Sequence, residues 1–211
     1  MHGLLAGKVE GKNRGNKERV ERHNRILIKH KLMISRGIRM TLRPARSYRH
    51  FSGPAYTRRE FVKGVPVNRV TFFDMGNPNG KFEVEMSMTM IETGQIRHNA
   101  LEAARIAANR LLELKAGKDC YHFKIRVYPH QVLRENPIVM GAGADRISDG
   151  MRRAFGRPIG IAARVRPGQK LMTIKCKKEF GAVAKEALKR ANLKVSLRSR
   201  IIVEKGQEFF R

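Results

Sequence analysis

Three groups of residues have types and spacings that could do chemistry. Gly141-Ala142-Gly143-Ala144-Asp145-Arg146 opens like the turn of a dinucleotide site, where glycines let backbone N–H groups approach a pyrophosphate. The position where a third glycine would close a helix against a strand holds Arg146, however, and no strand runs directly into the motif. These glycines therefore read as a pliable loop that admits close backbone approach to something large. Asp145 and Asp149, four apart, could share a helix face as an acid–base pair, but Arg146, Arg152 and Arg153 flank them and favour surface ion pairing. The seven histidines (2, 23, 30, 50, 98, 122 and 130) form no HExxH or other ligand spacing, and His130, beside Pro129, either stacks on a base or caps a turn. No GxSxG and no catalytic Cys–His arrangement occurs, and Cys120 and Cys176 sit far apart without metal-ligand spacing, so they read as reduced thiols. No metal, cofactor or small-molecule substrate is expected. A nucleotide-dependent enzyme built on the glycine turn is the weakest of the readings.

The stronger signal is in the cations. From 134 to 166 every basic side chain is arginine: Arg134, Arg146, Arg152, Arg153, Arg157, Arg164 and Arg166. A planar guanidinium bonds phosphate bidentately and stacks on bases, whereas a merely soluble surface would mix lysine with glutamate. Arg43, Arg46 and Arg49 surround Tyr48, and Arg58, Arg59 and Lys63 surround Phe61. Cations interleaved with aromatics suit irregular RNA, whose splayed bases offer stacking surfaces. No helix-turn-helix, zinc-finger or RRM signature supports duplex DNA readout. The whole chain of 211 residues carries 45 Lys+Arg against 18 Asp+Glu, a net charge of +27, which calls for a polyanionic partner. No apolar run approaches the roughly 18–20 residues needed to cross a bilayer.

The elements that must position these residues follow from periodicity. Hydrophobic residues make up 41% of the chain, enough for a core. In FEVEMSMTMI, Phe82, Val84, Met86, Met88 and Met90 alternate with Glu83, Glu85, Ser87 and Thr89, the period of a strand with one buried face. The alternation returns in YHFKIRVY, with Tyr121, Phe123, Ile125 and Val127 opposite His122, Lys124 and Arg126. Between them, Leu101, Ala104, Ala108, Leu111 and Leu112 fit one face of a helix, with Asn99 as N-cap and Gly117 as stop. A second helix is predicted from Glu179 to Ala191, with Phe180, Val183, Ala184, Ala187 and Leu188 inward, and IGIAARV, KLMTIKC and SRIIVEK are shorter strand candidates. Interleaved strands and helices predict an α+β fold, an α/β sandwich with helices on a mixed or antiparallel sheet. Residues 129–158 fit none of these elements and read as a functional loop with a short helix from Ser148 to Phe155. Residues 1–41, net positive and weakly periodic, read as a basic N-terminal extension, and 42–211 as a single RNA-binding domain.

The strings RPARSYRHFSGPAYTRREFVKGVP, HNALEAARIAANR, PHQVLREN, GAGADRISDGMRRAFGRPIGIAARV and RIIVEKGQE, in co-linear order over about residues 42–208, resemble one family. It is the universal large-subunit ribosomal protein family called L-sixteen in bacteria, in its archaeal–eukaryotic L-ten-e branch. The resemblance implies a non-enzymatic, cytoplasmic constituent of the large ribosomal subunit, packed on rRNA near the aminoacyl-tRNA site and joining the subunit late. Its partners would be large-subunit rRNA, the acceptor end of tRNA and neighbouring ribosomal proteins. The loop that this family directs toward the peptidyl transferase centre corresponds to Arg134, Asn136, Gly141, Ala142, Gly143, Ala144, Asp145 and Arg146. Its RPAxxYR segment corresponds to Arg43, Pro44, Ala45, Tyr48 and Arg49, and Arg46, Arg58, Arg59, Lys63, Arg152, Arg153, Arg157, Arg164 and Arg166 complete the expected rRNA-binding set. The chain looks more like the archaeal form. Some 40 residues precede the RPA segment, so 1–39 are either a lineage-specific arm or a stretch upstream of a true start at Met40. A free RNA chaperone or translation regulator is the competing binding-protein reading.

Overall fold

A computed structural model of the chain describes residues 43–136 and 150–210. Contacts divide the chain into two units, Met1–Arg43 and Pro44–Arg211, and every element below belongs to the second. The described strands are β1 (Asp74–Gly76), β2 (Val84–Met90), β3 (Gly94–Arg97), β4 (Tyr121–Ile125), β5 (Gln131–Glu135), β6 (Arg157–Val165), β7 (Lys170–Cys176) and β8 (Ser199–Lys205). The helices are α1 (His98–Ala116) and α2 (Gly181–Asn192). One sheet has the order β1-β4-β7-β2-β8 and the other β3-β6-β5. The described pairings are antiparallel throughout, so of the two sheet types expected the antiparallel one is found.

Register turns the sequence alternation into a core. Across β4, β7 and β2 it aligns Tyr121, Cys176 and Val84, then Phe123, Ile174 and Met86, then Ile125, Met172 and Met88. All nine are buried, so the apolar side chains form rows across three strands on one face. Burial of each large side chain is worth about 1.5–3 kcal/mol. The buried Cys176 thiol is pushed up to about 11 by loss of solvent, and the Tyr121 hydroxyl to about 12 by burial and then by Glu113. Both stay protonated at neutral pH.

Both helices supply side chains to the core built on that face, and they pack on each other. From α1 come Leu101, Ala104, Ala108, Leu111 and Leu112, and from α2 Ala184, Ala187, Leu188 and Ala191, all buried. Alanine at most of these positions lets backbones approach closely, while Phe180 and Val183 sit partly buried at the margin. Gly117 ends α1 at φ 77°, a backbone conformation that residues with a Cβ rarely adopt.

Two local expectations are corrected. Asn99 is not the N-cap of α1, because β3 runs straight into the helix and Arg97 takes that position. The His98 ring then fixes the turn by accepting the Arg69 backbone N–H at 3.3 Å, and Asn99 falls within the first turn. The stretch 129–158 is not wholly irregular either: Gln131–Glu135 is a strand paired with β6. A register shift between Leu133 and Arg134 breaks the period of two, which is why the pattern does not read as a strand. Of the helix expected from Ser148 to Phe155, a 3-10 turn at Gly150–Arg153 is found, and Ser148 and Asp149 lie outside the described residues.

Candidate nucleic-acid interface

The three-stranded sheet and the segment 43–65 assemble the arginine-rich end of the domain. Three arginines there point inward and fasten it. Arg164, on β6, donates to the carbonyls of Gly53 and Pro54 at 2.9 and 3.1 Å and lies 4.5 Å from the Phe51 ring centroid. Arg49 donates to the Ser196 carbonyl at 2.6 Å, and its own carbonyl accepts the Gln95 N–H at 3.1 Å. Arg134, on β5, stacks 3.2 Å from the Phe155 centroid and 4.6 Å from that of Tyr56. It lies in the strand that precedes the expected loop, at whose base the resemblance places it. Each of the three keeps one buried nitrogen without a hydrogen-bond partner (Arg49 Nε, Arg134 Nη1 and Arg164 Nε), so packing against rings and carbonyls determines their position.

These contacts join residues far apart in the chain. Tyr48 donates its hydroxyl to Glu135 at 2.9 Å, and Arg97 lies 5.8 Å from its ring centroid. The Tyr56 and Phe155 rings are perpendicular with centroids 6.1 Å apart, and the Tyr56 backbone N–H donates to the Gln131 side-chain oxygen at 2.7 Å. A small cluster of Val62, Val132 and Ile161, with Tyr56 and Val65 at its edge, seats the segment on β5 and β6. Sequence reasoning missed Arg97, Tyr56 and Phe155 as partners because aromatic–cation proximity was sought within a few residues.

The remaining predicted cations face solvent: Arg43, Arg46, Arg58, Arg59, Lys63, Arg152, Arg153, Arg157 and Arg166 are all exposed, as is Phe61. Acids are few here. Residues 43–66 contain Glu60 alone, and 150–169 contain five arginines and no acid. Beside this surface, His98 is held below its ordinary pKa first by burial and then by its neighbours Arg69 and Arg97.

β5 and β6 pair antiparallel, and the residues between them from 137 to 149 lie outside the described residues, among them Gly141, Ala142, Gly143, Ala144, Asp145 and Arg146. The end of this strand pair is closely fitted. Glu135 pairs with Arg157, and the Asn136 side chain reaches the Gly150 carbonyl at 3.4 Å. Gly156, at φ 75°, leaves no room for a Cβ, which would meet Glu135 and Asn136 backbone atoms at 2.6–2.8 Å. Among the described residues no cluster of His, Cys, Asp or Glu could hold a metal ion, and no helix is long and apolar enough to cross a membrane.

Comparison with known proteins adds an independent line. The family model described as ribosomal protein L16p/L10e matches residues 51–202. The large ribosomal subunit protein uL16 of Staphylothermus marinus is 56% identical over 163 residues, 77% of this chain and 94% of that protein. The uL16 protein of Methanocella arvoryzae is 54% identical over 172 residues, 82% of this chain and 100% of its own length. That of Saccharolobus solfataricus is 54% identical over 164 residues, 77% and 92% of the two chains.

Proposed function

Because the chain belongs to the L16p/L10e family of ribosomal proteins, we propose that its arginine-rich end is its rRNA contact surface, close to the aminoacyl-tRNA site. The protein is a structural, non-enzymatic constituent of the large ribosomal subunit and acts in translation. The observation that carries the proposal is the division among the arginines. Arg49, Arg134 and Arg164 fasten the segment 43–65 and the end of the β5–β6 pair, while the exposed arginines lie on a surface almost without acids. Such a surface neutralises phosphates, and the fastened scaffold keeps its cations in fixed geometry. The segment beyond Asn136, with Gly141 to Arg146, then carries backbone donors and positive charge toward the peptidyl transferase centre and the tRNA acceptor end. Arg134 braces the base of that segment between Tyr56 and Phe155, and joining the subunit late in the cytoplasm belongs to the same reading.

The test replaces Arg152 and Arg157 together by glutamate in the full chain. Both are exposed, so the fold is retained, and occupancy of large subunits falls well below one copy. Each lost phosphate contact lowers the log–log salt slope of rRNA binding by roughly 0.7–0.9. Full occupancy with an unchanged slope would remove the proposal, and a protein found only in the soluble fraction would favour a free RNA regulator.

A further inference from the structure

The run after β4 alternates: Val127 and Pro129 are buried, and Arg126, Tyr128 and His130 are exposed. Tyr128 is stacked on the partly buried Phe73, with centroids 5.4 Å apart and planes 25° apart. His130 sits on Tyr128 in turn, at 4.7 Å and 48°. Three rings thus make a short column that ends at an exposed imidazole. Arg126 is anchored two residues before Tyr128 by its Nε–H bond to the Thr173 hydroxyl at 3.2 Å, and its backbone N–H donates to the Leu171 carbonyl at 2.9 Å. Phe72, beside Phe73 in the chain, is itself 64% exposed, with the Arg105 guanidinium 6.0 Å from its centroid. Phe73 packs against the core, but exposed Tyr128 and His130 are not needed to close it, since Ile125 and Val127 already face inward from the same run.

We propose that this column is a second RNA site, a platform on which one unpaired base stacks against His130 and Tyr128 while Arg126 meets the adjoining phosphate. It rests on the reading of the chain as an rRNA-binding protein and assigns to it a contact chemically distinct from the arginine-rich end. There the exposed charged groups are nearly all guanidinium ions, which take phosphate. Here the exposed groups are rings with one cation, the composition of single-strand stacking sites.

The test uses the full chain, a fluorescent single-stranded 12-nucleotide RNA and the same strand made of abasic riboses, each titrated across a salt series. The parent chain binds the base-bearing strand more tightly. Replacing Tyr128 by Leu, which keeps apolar cover over Phe73, together with His130→Ala, weakens binding to the base-bearing strand by roughly 5- to 150-fold, the range expected for one stacked base. Binding to the abasic strand and the salt slope stay as they were. His130→Ala alone, at an exposed position, gives a smaller loss of the same kind. Two outcomes overturn the platform alone: equal binding of both strands by the parent chain, and a doubly substituted chain that keeps its preference for bases. A parent chain that binds neither strand would instead overturn the rRNA reading on which the platform rests.

Discussion

The outer face of the five-stranded sheet and the arginine-rich end are both rich in cations, yet they manage charge in opposite ways. On the sheet, cations meet acids: Lys124 reaches Asp74 at 3.2 Å, Lys175 reaches Glu85 at 3.9 Å and Lys170 reaches Glu204 at 2.6 Å, and the His122 ring lies 3.1 Å from the same Asp74 carboxylate. Glu204 also accepts the Ser87 hydroxyl, and these bonds, from Lys170 first and Ser87 next, hold its carboxyl below the ordinary range. There each of these three lysines has its carboxylate within the chain. At the other end, the arginines that are satisfied internally are satisfied by carbonyls and rings, which leave the positive charge in place. The contrast teaches that side-chain bonding and charge neutralisation are separate properties: Arg164 is well bonded and still adds its full charge to a surface awaiting a polyanion.

Four substitutions or conditions sharpen that comparison. Met88→Ala, in the row Ile125–Met172–Met88 on the apolar side of the sheet, lowers unfolding free energy by about 2–5 kcal/mol in denaturant titration. It leaves the salt slope of RNA binding by the folded protein unchanged. Arg134→Leu, which keeps apolar bulk between Tyr56 and Phe155 but removes the cation, costs about 1–2 kcal/mol. A loss as large as the core substitution would show that Arg134 does more than stack. Neutralising one partly exposed, loosely spaced pair on the sheet with Lys175→Gln and Glu85→Gln changes stability by about 1 kcal/mol or less and rRNA affinity very little. A large drop in affinity would break the distinction between the two regions. The smallest effect is a pH dependence. His98 has a folded-state pKa below its unfolded value of 6.5, so its contribution to stability is present above 6.5 and declines as pH falls below it. In thermal melts at pH 7.5 and 5.5, His98→Gln reduces the difference between the two pH values.

Legibility differed between the same two regions, for a physical reason. The sheet and its helices follow periods of two and of 3.6, so Met86, Met88, Phe123, Ile125 and the α1 face Leu101–Leu112 are placed correctly by pattern alone. β3 and β5 escaped because a four-residue strand shows little period, and the register shift at Leu133/Arg134 cancels the period in the other. For the site, the types of residue were legible and their roles were not. Arginines at 49, 134 and 164 look the same in sequence as those at 152, 157 and 166. What separates them is contact with Ser196, Phe155 and Gly53, at long range in the chain. Asn99 shows the same limit at short range: a good capping residue loses its position when an unseen strand delivers the chain into the helix two residues early.

The central claim, that the exposed arginines face rRNA in the subunit, is tested most directly by arginine modification with phenylglyoxal, read residue by residue by mass spectrometry. Intact large subunits are compared with the free protein. Arg58, Arg59, Arg152, Arg157 and Arg166 should react in the free protein and be protected in the subunit. Arg190, exposed on α2 and bonded to Glu186 at 2.7 Å, should react in both. If the first five react as readily in the subunit as in the free protein, the arginine-rich end does not face RNA and the account is wrong.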